Sequence, residues 1–506
     1  MIGYARVCIE CLERYKIKDY DSLKRMMRIK GTIKAKKHVL LSKGTSENVS
    51  YLFIGIDDFD SPYGMCTTYL ASKIVEKLRN NGKVAFLDYP LLIRLNPNIP
   101  IKTRGNASIG FRLLINGSIR NVMNLVVNEA LKLSHSFFKK TRPVIFFYGN
   151  EDYAIPKEIH TVYEIALKDV ISWRDVLKKI NKIPGFIHIV TFTDEEPRGL
   201  VGAVAAVGAI LIDWTFELLA YRRNEEERWI DLISLIELDK RLRPFVFENI
   251  NGKRPLIMPH GLDPVYFGLR GEFPEHVIEA FKLLKHGEIE RWMLFRSNQG
   301  TAFHINRDGN FGLYKTVLRK GVVDDIIKVK EAKLKLILRI DNQKAEIFAY
   351  KLQGRLRRYL SQLKKGDVLL VVFNIWDISE KIIGNIEEFF VLSFYPEVKE
   401  ANPLCPVCGR RMKKKSKDVF YCRSCGYRFK GRKIIEVKFR RPFPTRKRIT
   451  PDLKAFRHLT MPEERIYFRS LKLAGRLKPY LIEPFFGVKK PSKIRKISEI
   501  NEPRII

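Results

Sequence analysis

Three aspartates and two threonines crowd one short stretch, 51–68, YLFIGIDDFDSPYGMCTT. Asp57, Asp58 and Asp60 follow an apolar run; after a turn through Ser61, Pro62, Tyr63 and Gly64 come Met65, Cys66, Thr67 and Thr68. The pattern reads as a strand, an acidic turn and a helix start. Carboxylates at the carboxyl end of a strand can hold magnesium, and threonines at a helix N-terminus sit where N–H groups and the helix dipole favour phosphate. The chemistry expected there is that of an ATP site. The blander alternative is an acidic surface turn ahead of a threonine N-cap, because short acidic motifs recur by chance.

A second constellation is the loop 95–106, LNPNIPIKTRGN. Pro97 and Pro100 stiffen it, and Lys102, Thr103, Arg104, Gly105 and Asn106 supply two cations, a hydroxyl, a glycine for close backbone approach and an amide. A triphosphate needs such groups, with Lys and Arg spreading the charge of the transferring group. Read structurally, the same residues make a solvated basic loop.

The third is Cys405-Pro-Val-Cys408 with Cys422-Arg-Ser-Cys425, two knuckles 13 residues apart and each followed by glycine. Four thiolates at this spacing fit a tetrahedral zinc ribbon with no open catalytic position, whose folding depends on the metal. Lys413, Lys414, Lys415, Lys417, Arg423 and Arg428, interleaved with Tyr421, Tyr427 and Phe429, suit a nucleic-acid finger. Cys8 and Cys11 form a lone C-x-x-C and read as free thiols.

The elements that must position these residues follow from periodicity. Residues 1–50 are a basic N-terminal extension, with a helical pattern at 20–29 and a linker, GTSENVS. Over 51–185, a strand to 56, a helix at 67–80, strands near 84–94 and 107–115, a helix at 119–138 and a strand at 144–148 alternate as in an α/β layered domain. A second domain is expected over 186–320. It opens on IHIVTF and a run of small residues, RGLVGAVAAVG, explained by close packing, and continues through DWTFELLAYR. Its polar, glycine-rich stretches PHGLDPVYFGLRG and RSNQGTAFH read as binding loops. Five short strands with a helix between the third and fourth, over 321–398, suit an OB-like barrel, a common RNA-binding module, or a purely structural β-barrel. The zinc ribbon takes 399–435, and 436–506 is a basic tail expected to track phosphates.

At 506 residues the chain is too long for one core, and its seven cysteines are too few for a disulfide scaffold. Ninety-three Lys and Arg against 56 Asp and Glu leave +37, which points to a polyanionic partner, nucleic acid first. Lys-rich surfaces and scarce Gln (299, 343, 353 and 362) also mark heat-adapted proteins, a compatible reading. No apolar stretch reaches the length of a membrane span, and MIGYARVCIE lacks the pattern of a secretion signal, so a cytoplasmic protein with no membrane partner is expected.

With GIDDFDSPYGMCTTYLA, IRLNPNIPIKTRGNA, RGLVGAVAAVGA, TFELLAYR, PHGLDPVYFGLRG and RSNQGT in this order, ahead of the barrel pattern and the four cysteines, the chain resembles the archaeal tRNA(Ile) agmatidine synthetases over about 52–430. The resemblance implies a multidomain α+β protein with a kinase-like catalytic domain, a ferredoxin-like domain, an OB-fold and a zinc ribbon. It implies ATP-dependent ligation of agmatine to carbon-2 of the wobble cytidine of an isoleucine tRNA with a CAU anticodon. ATP yields AMP and pyrophosphate, and AUA is then read as isoleucine.

In the matching motifs Asp57, Asp58 and Asp60 would manage magnesium and proton transfer, and Thr67 would be the autophosphorylated residue, with Thr68 the near alternative. Lys102, Thr103, Arg104, Gly105 and Asn106 would cradle phosphates or the activated base. Glu217, Asp263 and Gln299 are offered for agmatine, because a guanidinium and an amine call for acidic or amide partners. No obligate protein partner is expected. The family commonly has DDTDS where this chain has Phe59, and residues 1–50 lie outside the resemblance, as a lineage-specific arm or the product of an upstream start codon. Two rival readings stand beside it: a non-catalytic tRNA-binding chaperone, and an ATP-dependent RNA ligase or kinase of broader specificity.

Overall fold

The computed structural model describes residues 36–506 except 48, 62–63, 103–104, 134–139, 223–227, 260–262, 308, 330–332, 439–442, 444–446 and 492. Cys8, Cys11, the 20–29 pattern, Thr103 and Arg104 thus lie outside the described residues. The chain forms two compact units, one of the described residues up to Ile305 together with Phe456–Ile506, the other Asn306–Ala455.

In chain order the first unit carries β1 (His38–Lys43), β2 (Tyr51–Asp57), α1 (Thr67–Asn80), β3 (Leu91–Arg94), β4 (Ala107–Ile115), α2 (Ile119–Lys132), β5 (Val144–Asn150), α3 (Lys157–Lys168) and α4 (Trp173–Ile180). It continues with β6 (Phe186–Thr191), α5 (Gly199–Gly208), β7 (Thr215–Tyr221), α6 (Leu232–Leu242), β8 (Val265–Gly271), α7 (Pro274–Leu283) and β9 (Arg291–Ser297). These strands lie in one large sheet in the order β1-β6-β5-β2-β4-β3-β9-β7-β8, with Val246–Phe247 beyond β8. β3 and β9 pair in parallel and join its two halves.

The apolar run of β2 is buried from Leu52 to Ile56, as a strand without alternation must be when both faces are covered. Gly55 of β2 is registered against Gly110 of β4. Together they open a notch in which the backbone of α5 lies: a Cβ at Gly110 would meet the Ala206 carbonyl at 2.7 Å, and one at Gly55 would run into that of Ala203. The small residues of 199–208 are the other side of that contact, so packing accounts for them. β6 pairs with β5, and α5 packs on β2, β4 and β5, so both lie on the sheet half that carries Asp57.

The last segment, expected as a basic tail that tracks phosphates, is in large part folded into the first unit. Arg465 is fully buried and pairs with Asp213 at 2.7 Å and with Glu272, which Lys472 also holds at 2.6 Å. Glu502 accepts from buried Arg112 at 2.7 Å, and Arg112 and Arg296 share Asp88. Basic composition here serves internal ion pairs. Among the described residues no helix is long and apolar enough to cross a membrane.

The second unit is a closed five-strand barrel of β10 (Thr316–Val329), β11 (Lys333–Ile340), β12 (Gln343–Ala349), β13 (Val368–Asp377) and β14 (Ile382–Ser393), with α8 (Gly354–Leu360) between the third and fourth strands as expected. The order is β10-β11-β12-β14-β13, and β13 closes on β10. A small three-stranded sheet, Lys413–Ser416, Val419–Tyr421 and Arg428–Lys430, accompanies the cysteine knuckles.

Candidate active site

Asp57 ends β2 and is registered against Val144, one pair beyond Ile56 and Ile109. Because β4 and β5 both run antiparallel to β2, the carboxyl end of β2 meets the amino ends of its neighbours. Residues 105–107 and 140–144 therefore converge on the acidic turn. The first turn of α5 closes it from a third side: a Cβ at Gly202 would sit 2.5 Å from Asp57 Cγ, and one at Gly199 3.2 Å from Asp58 Cβ. The positive end of a helix dipole is thus set against two acids.

Asp58 and Asp60 are each anchored by a backbone N–H. Asp58 has a left-handed φ of 64° and accepts the Arg142 N–H at 2.7 Å. Asp60 Oδ1 accepts the Thr67 N–H at 3.1 Å, satisfying an amide at the start of α1. Burial pushes the Asp57 carboxyl well above its usual range, and the charges of Asp58 and Asp60 add to the effect. Burial likewise lifts Asp58 to about 6, against the Arg142 amide and the cations Arg198 and Arg142.

Thr67 is buried and its Oγ1 accepts the Phe59 N–H at 3.2 Å, whereas Thr68 is half-buried with its hydroxyl 3.2 Å from Cys66 Sγ. The Phe59 ring turns into the core and meets Phe192 edge-on at 5.4 Å. The hydroxyl that DDTDS would supply is replaced there by packing.

The turn opens on a cavity of about 750 Å³ lined by Asp57, Asp58, Lys102, Asn106, Arg142 and Arg198, with Ile99, Ile101, Ile171 and Trp173 forming an apolar wall. The loop 95–106 is held at its base: Leu95 N–H donates to the Asn106 carbonyl at 3.0 Å, and the Asn106 amide donates to the Asn96 carbonyl at 2.8 Å. Asn106, like Asp58, has a positive φ, 49°. Two non-glycine residues in that sparsely allowed region face one cavity, as strained backbone at functional sites tends to. The structure therefore brings Asp57, Asp58, Lys102 and Asn106 together.

Glu217, on β7, lies in a separate cluster. Arg270 Nε donates to its Oε1 at 3.0 Å, Arg94 Nη2 lies 3.7 Å from its Oε2, and the Gln299 amide also donates to Oε2. Burial alone would raise its pKa, but Arg270, Arg94 and Gln299 together hold it below the usual range. Gln299 and Glu217 are thus neighbours. Asp263 uses one carboxylate oxygen to accept the Val265 N–H at 3.0 Å, while Arg222 and Arg228 donate to its carbonyl.

Sequence reading passed over Arg94, Arg142, Arg198, Trp173 and Arg270, although Arg94, Arg198 and Arg270 stand inside the quoted motifs IRLNPN, RGLVGA and GLRG. Arg142 and Trp173 carry no local signal; only the meeting of strand ends brings them in.

In the second unit the sulfurs of Cys405, Cys408, Cys422 and Cys425 all lie within 4.8 Å of one another, with Cys405–Cys425 and Cys408–Cys422 at 3.4 Å. A tetrahedron with Zn–S bonds of about 2.3 Å has edges of about 3.8 Å, so the four thiols can hold zinc. Gly409 and Gly426 have φ of 70° and 73° and turn their N–H groups back to the Cys405 and Cys422 carbonyls, which requires glycine. The three acids of the turn form no such cage. Among the described residues the four cysteines are the group of three or more ligands whose atoms converge so closely. Magnesium, which takes one or two carboxylates and fills its other positions with phosphate and water, fits the Asp57–Asp58 pair without one.

A family model described as the TiaS TCKD domain matches residues 53–123, and one described as the TiaS FLD domain matches 197–304. The tRNA(Ile2) 2-agmatinylcytidine synthetase TiaS of Pyrococcus horikoshii is 34% identical over 423 residues, 81% of this chain and 96% of that protein. The enzyme of the same name from Thermofilum pendens is 36% identical over 426 residues, 81% and 94% of the two chains. The crystal structure of apo TiaS (tRNAIle2 agmatidine synthetase) superposes with a TM-score of 0.72 at 29% identity, covering 82% of this chain and 98% of that one. A TiaS–tRNA(Ile2)–AMPCPP–agmatine complex gives 0.68 at 27% identity with the same coverage.

Proposed function

The chain belongs to the tRNA(Ile2) 2-agmatinylcytidine synthetase family, and from that premise we propose how its own residues perform the reaction: agmatine joined to carbon-2 of the wobble cytidine of isoleucine tRNA with a CAU anticodon, with ATP converted to AMP and pyrophosphate. The observation that carries the site assignment is the convergence of Asp57, Asp58, Lys102 and Asn106 on one cavity. Its cations, Lys102, Arg142 and Arg198, face phosphate while its apolar wall, with Trp173, suits a flat base. Thr103, Arg104 and Gly105 complete the phosphate loop.

Carbon-2 carries a carbonyl oxygen that is a poor leaving group. Attack of that oxygen on the α- or β-phosphorus of ATP breaks one phosphoanhydride bond. As the amine of agmatine forms the C–N bond the C–O bond breaks, so the oxygen leaves within AMP or pyrophosphate and the amine gives up its protons. Asp58, poised near neutrality, is suited to take a proton during transfer. Asp57 and Asp58 would hold magnesium, which when bound neutralises developing phosphate charge. Glu217, Gln299 and Asp263 are assigned to the agmatine side, and the wobble cytidine is flipped out of the anticodon stack to reach the acids. Cys405, Cys408, Cys422 and Cys425 hold zinc in a ribbon, and the barrel is an OB-fold, both directed at tRNA. Residues 51–185 serve as the kinase-like domain and 186–320 as the ferredoxin-like domain, followed by the OB-fold over 321–398, the ribbon over 399–435 and the segment 436–506.

The test is incorporation of radiolabelled agmatine into an unmodified isoleucine tRNA transcript with and without ATP, in wild type, Asp58→Ala, Thr67→Ala and Thr68→Ala. ATP-dependent labelling at the wobble cytidine that is lost in Asp58→Ala supports the reading, and the two threonine variants decide which hydroxyl accepts phosphate. Tight tRNA binding with no label under any nucleotide would sink it in favour of a binding protein.

A further inference from the structure

The phosphate loop and the Glu217 cluster, 113 residues apart in sequence from Arg104 to Glu217, are touched by one side chain from neither. His458 arrives on the segment that returns to the first unit, 456–460, and that segment is fixed by backbone bonds: Gly300 N–H donates to the His458 carbonyl at 2.8 Å and Ala302 N–H to the Leu459 carbonyl at 3.0 Å. His458 Nδ1 lies 3.0 Å from Arg270 Nη2, the guanidinium that also grips Glu217 and, at 2.7 Å, Glu248. A guanidinium only donates, so Nδ1 is the acceptor and a neutral ring carries its proton on Nε2. That edge faces Gly105: a Cβ there would be 2.8 Å from Nε2 and would also run into Arg94 Nη1. Next to it, Arg457 binds the Asn98 side chain of the same loop. Burial, reinforced by the charges of Arg94 and Arg270, keeps the ring neutral, and an imidazolium wedged between two guanidiniums would break the arrangement.

We propose that His458 is a positioning residue for the transfer reaction: its Nδ1 holds Arg270 on Glu217, while its Nε2 edge seats the phosphate loop at Gly105. The ring touches no reacting atom and sets two binding surfaces at once. Both arms of this inference rest on the function proposed above, the nucleotide arm on its phosphate loop and the agmatine arm on its assignment of Glu217.

The experiment uses the full chain with His458→Ala, His458→Asn and His458→Gln. It measures equilibrium binding of a non-hydrolysable ATP analogue with magnesium, KM for ATP and for agmatine, kcat and melting temperature. Alanine is expected to weaken analogue binding about tenfold and to raise both KM values. Asparagine places an oxygen near the Nδ1 position and is expected to recover the agmatine KM while leaving the ATP KM high. Glutamine, whose amide falls nearer Nε2, is expected to do the reverse. Such a split is not produced by loss of folding alone. Analogue binding within twofold of wild type in all three variants overturns the proposal, as does a parallel rise of both KM values with a fall in melting temperature in all three, or a wild type that binds no analogue. A wild type that binds analogue but incorporates no agmatine removes the functional reading and leaves the analogue series to decide on His458.

Discussion

Two acidic centres of the first unit, one half-buried and one fully buried, are built in opposite ways. At the turn, Asp57 and Asp58 lie side by side with Asp60 nearby; burial and mutual repulsion raise the first two, and the cations within reach do not cancel that. At Glu217 a single carboxylate is gripped by Arg270, Arg94 and Gln299, and its pKa falls. An acid cluster that the chain leaves under-compensated has charge to offer to a cation or a proton that is not part of the chain. A carboxylate whose oxygens are already engaged spends its charge on geometry. A guanidinium arriving at Glu217 has to exchange with Arg270 or Arg94, so recognition there requires a rearrangement that the turn does not.

The sharpest way to break this contrast is to remove one acid from each centre. Asp58→Ala is expected to lower turnover on the order of 10³-fold while the protein stays folded, since electrostatic groups at a reacting centre carry effects of that size; initial rates of agmatine incorporation alongside a melting curve check it. Glu217→Ala is expected to act first on stability. It strands Arg94 and leaves Arg270 with Glu248 alone, and an uncompensated buried charge costs about 3–5 kcal/mol, read as a lower denaturation midpoint. A Glu217 variant as stable as wild type would show that the cluster is not a structural anchor.

A subtler test exploits the sign of the Asp58 shift. Its folded value of about 6 lies above the ordinary 3.8. The unfolded chain therefore ionises first, and stability drains as pH rises from about 4 to 6, with the penalty constant above that. Asp58→Asn keeps an acceptor for the Arg142 amide and removes the penalty. It should stabilise the nucleotide-free protein by about 1–3 kcal/mol at pH 7–8 and not at pH 4. Melting temperatures across that range check it, and a gain that persists at pH 4 would trace the effect to packing.

How much of this was legible in the sequence follows the same divide. The acidic turn could be read because its parts are local: an apolar run, three acids, a threonine pair at a helix start. The α1 helix and the five barrel strands fall where periodicity put them, since each pattern is complete within a few residues. The Glu217 cluster was only partly legible. Glu217 and Gln299 could be singled out as acid and amide, but their pairing with each other depends on β7 lying beside β9, which no local pattern encodes. The burial of Arg465 and Lys472 was not legible for a related reason: a basic stretch carries no sign of the acids that receive it, Asp213 and Glu272, which two other strand ends bring up.

The smallest expected effect divides the turn itself. Asp60 differs from Asp57 and Asp58 in its place, accepting the Thr67 N–H at the start of α1, a duty that an amide oxygen can also perform; asparagine and aspartate serve helix starts about equally well. Asp60→Asn should therefore leave stability within about 0.5 kcal/mol. It removes one of the charges that raise Asp57 and Asp58, so the acid limb of the pH–rate profile should move to lower pH. If the limb stays put, mutual repulsion is not what holds these carboxyls up, and burial alone separates the turn from Glu217. If turnover instead collapses as far as in Asp58→Ala, the three acids act as one unit and the division of labour between cap and chemistry does not hold.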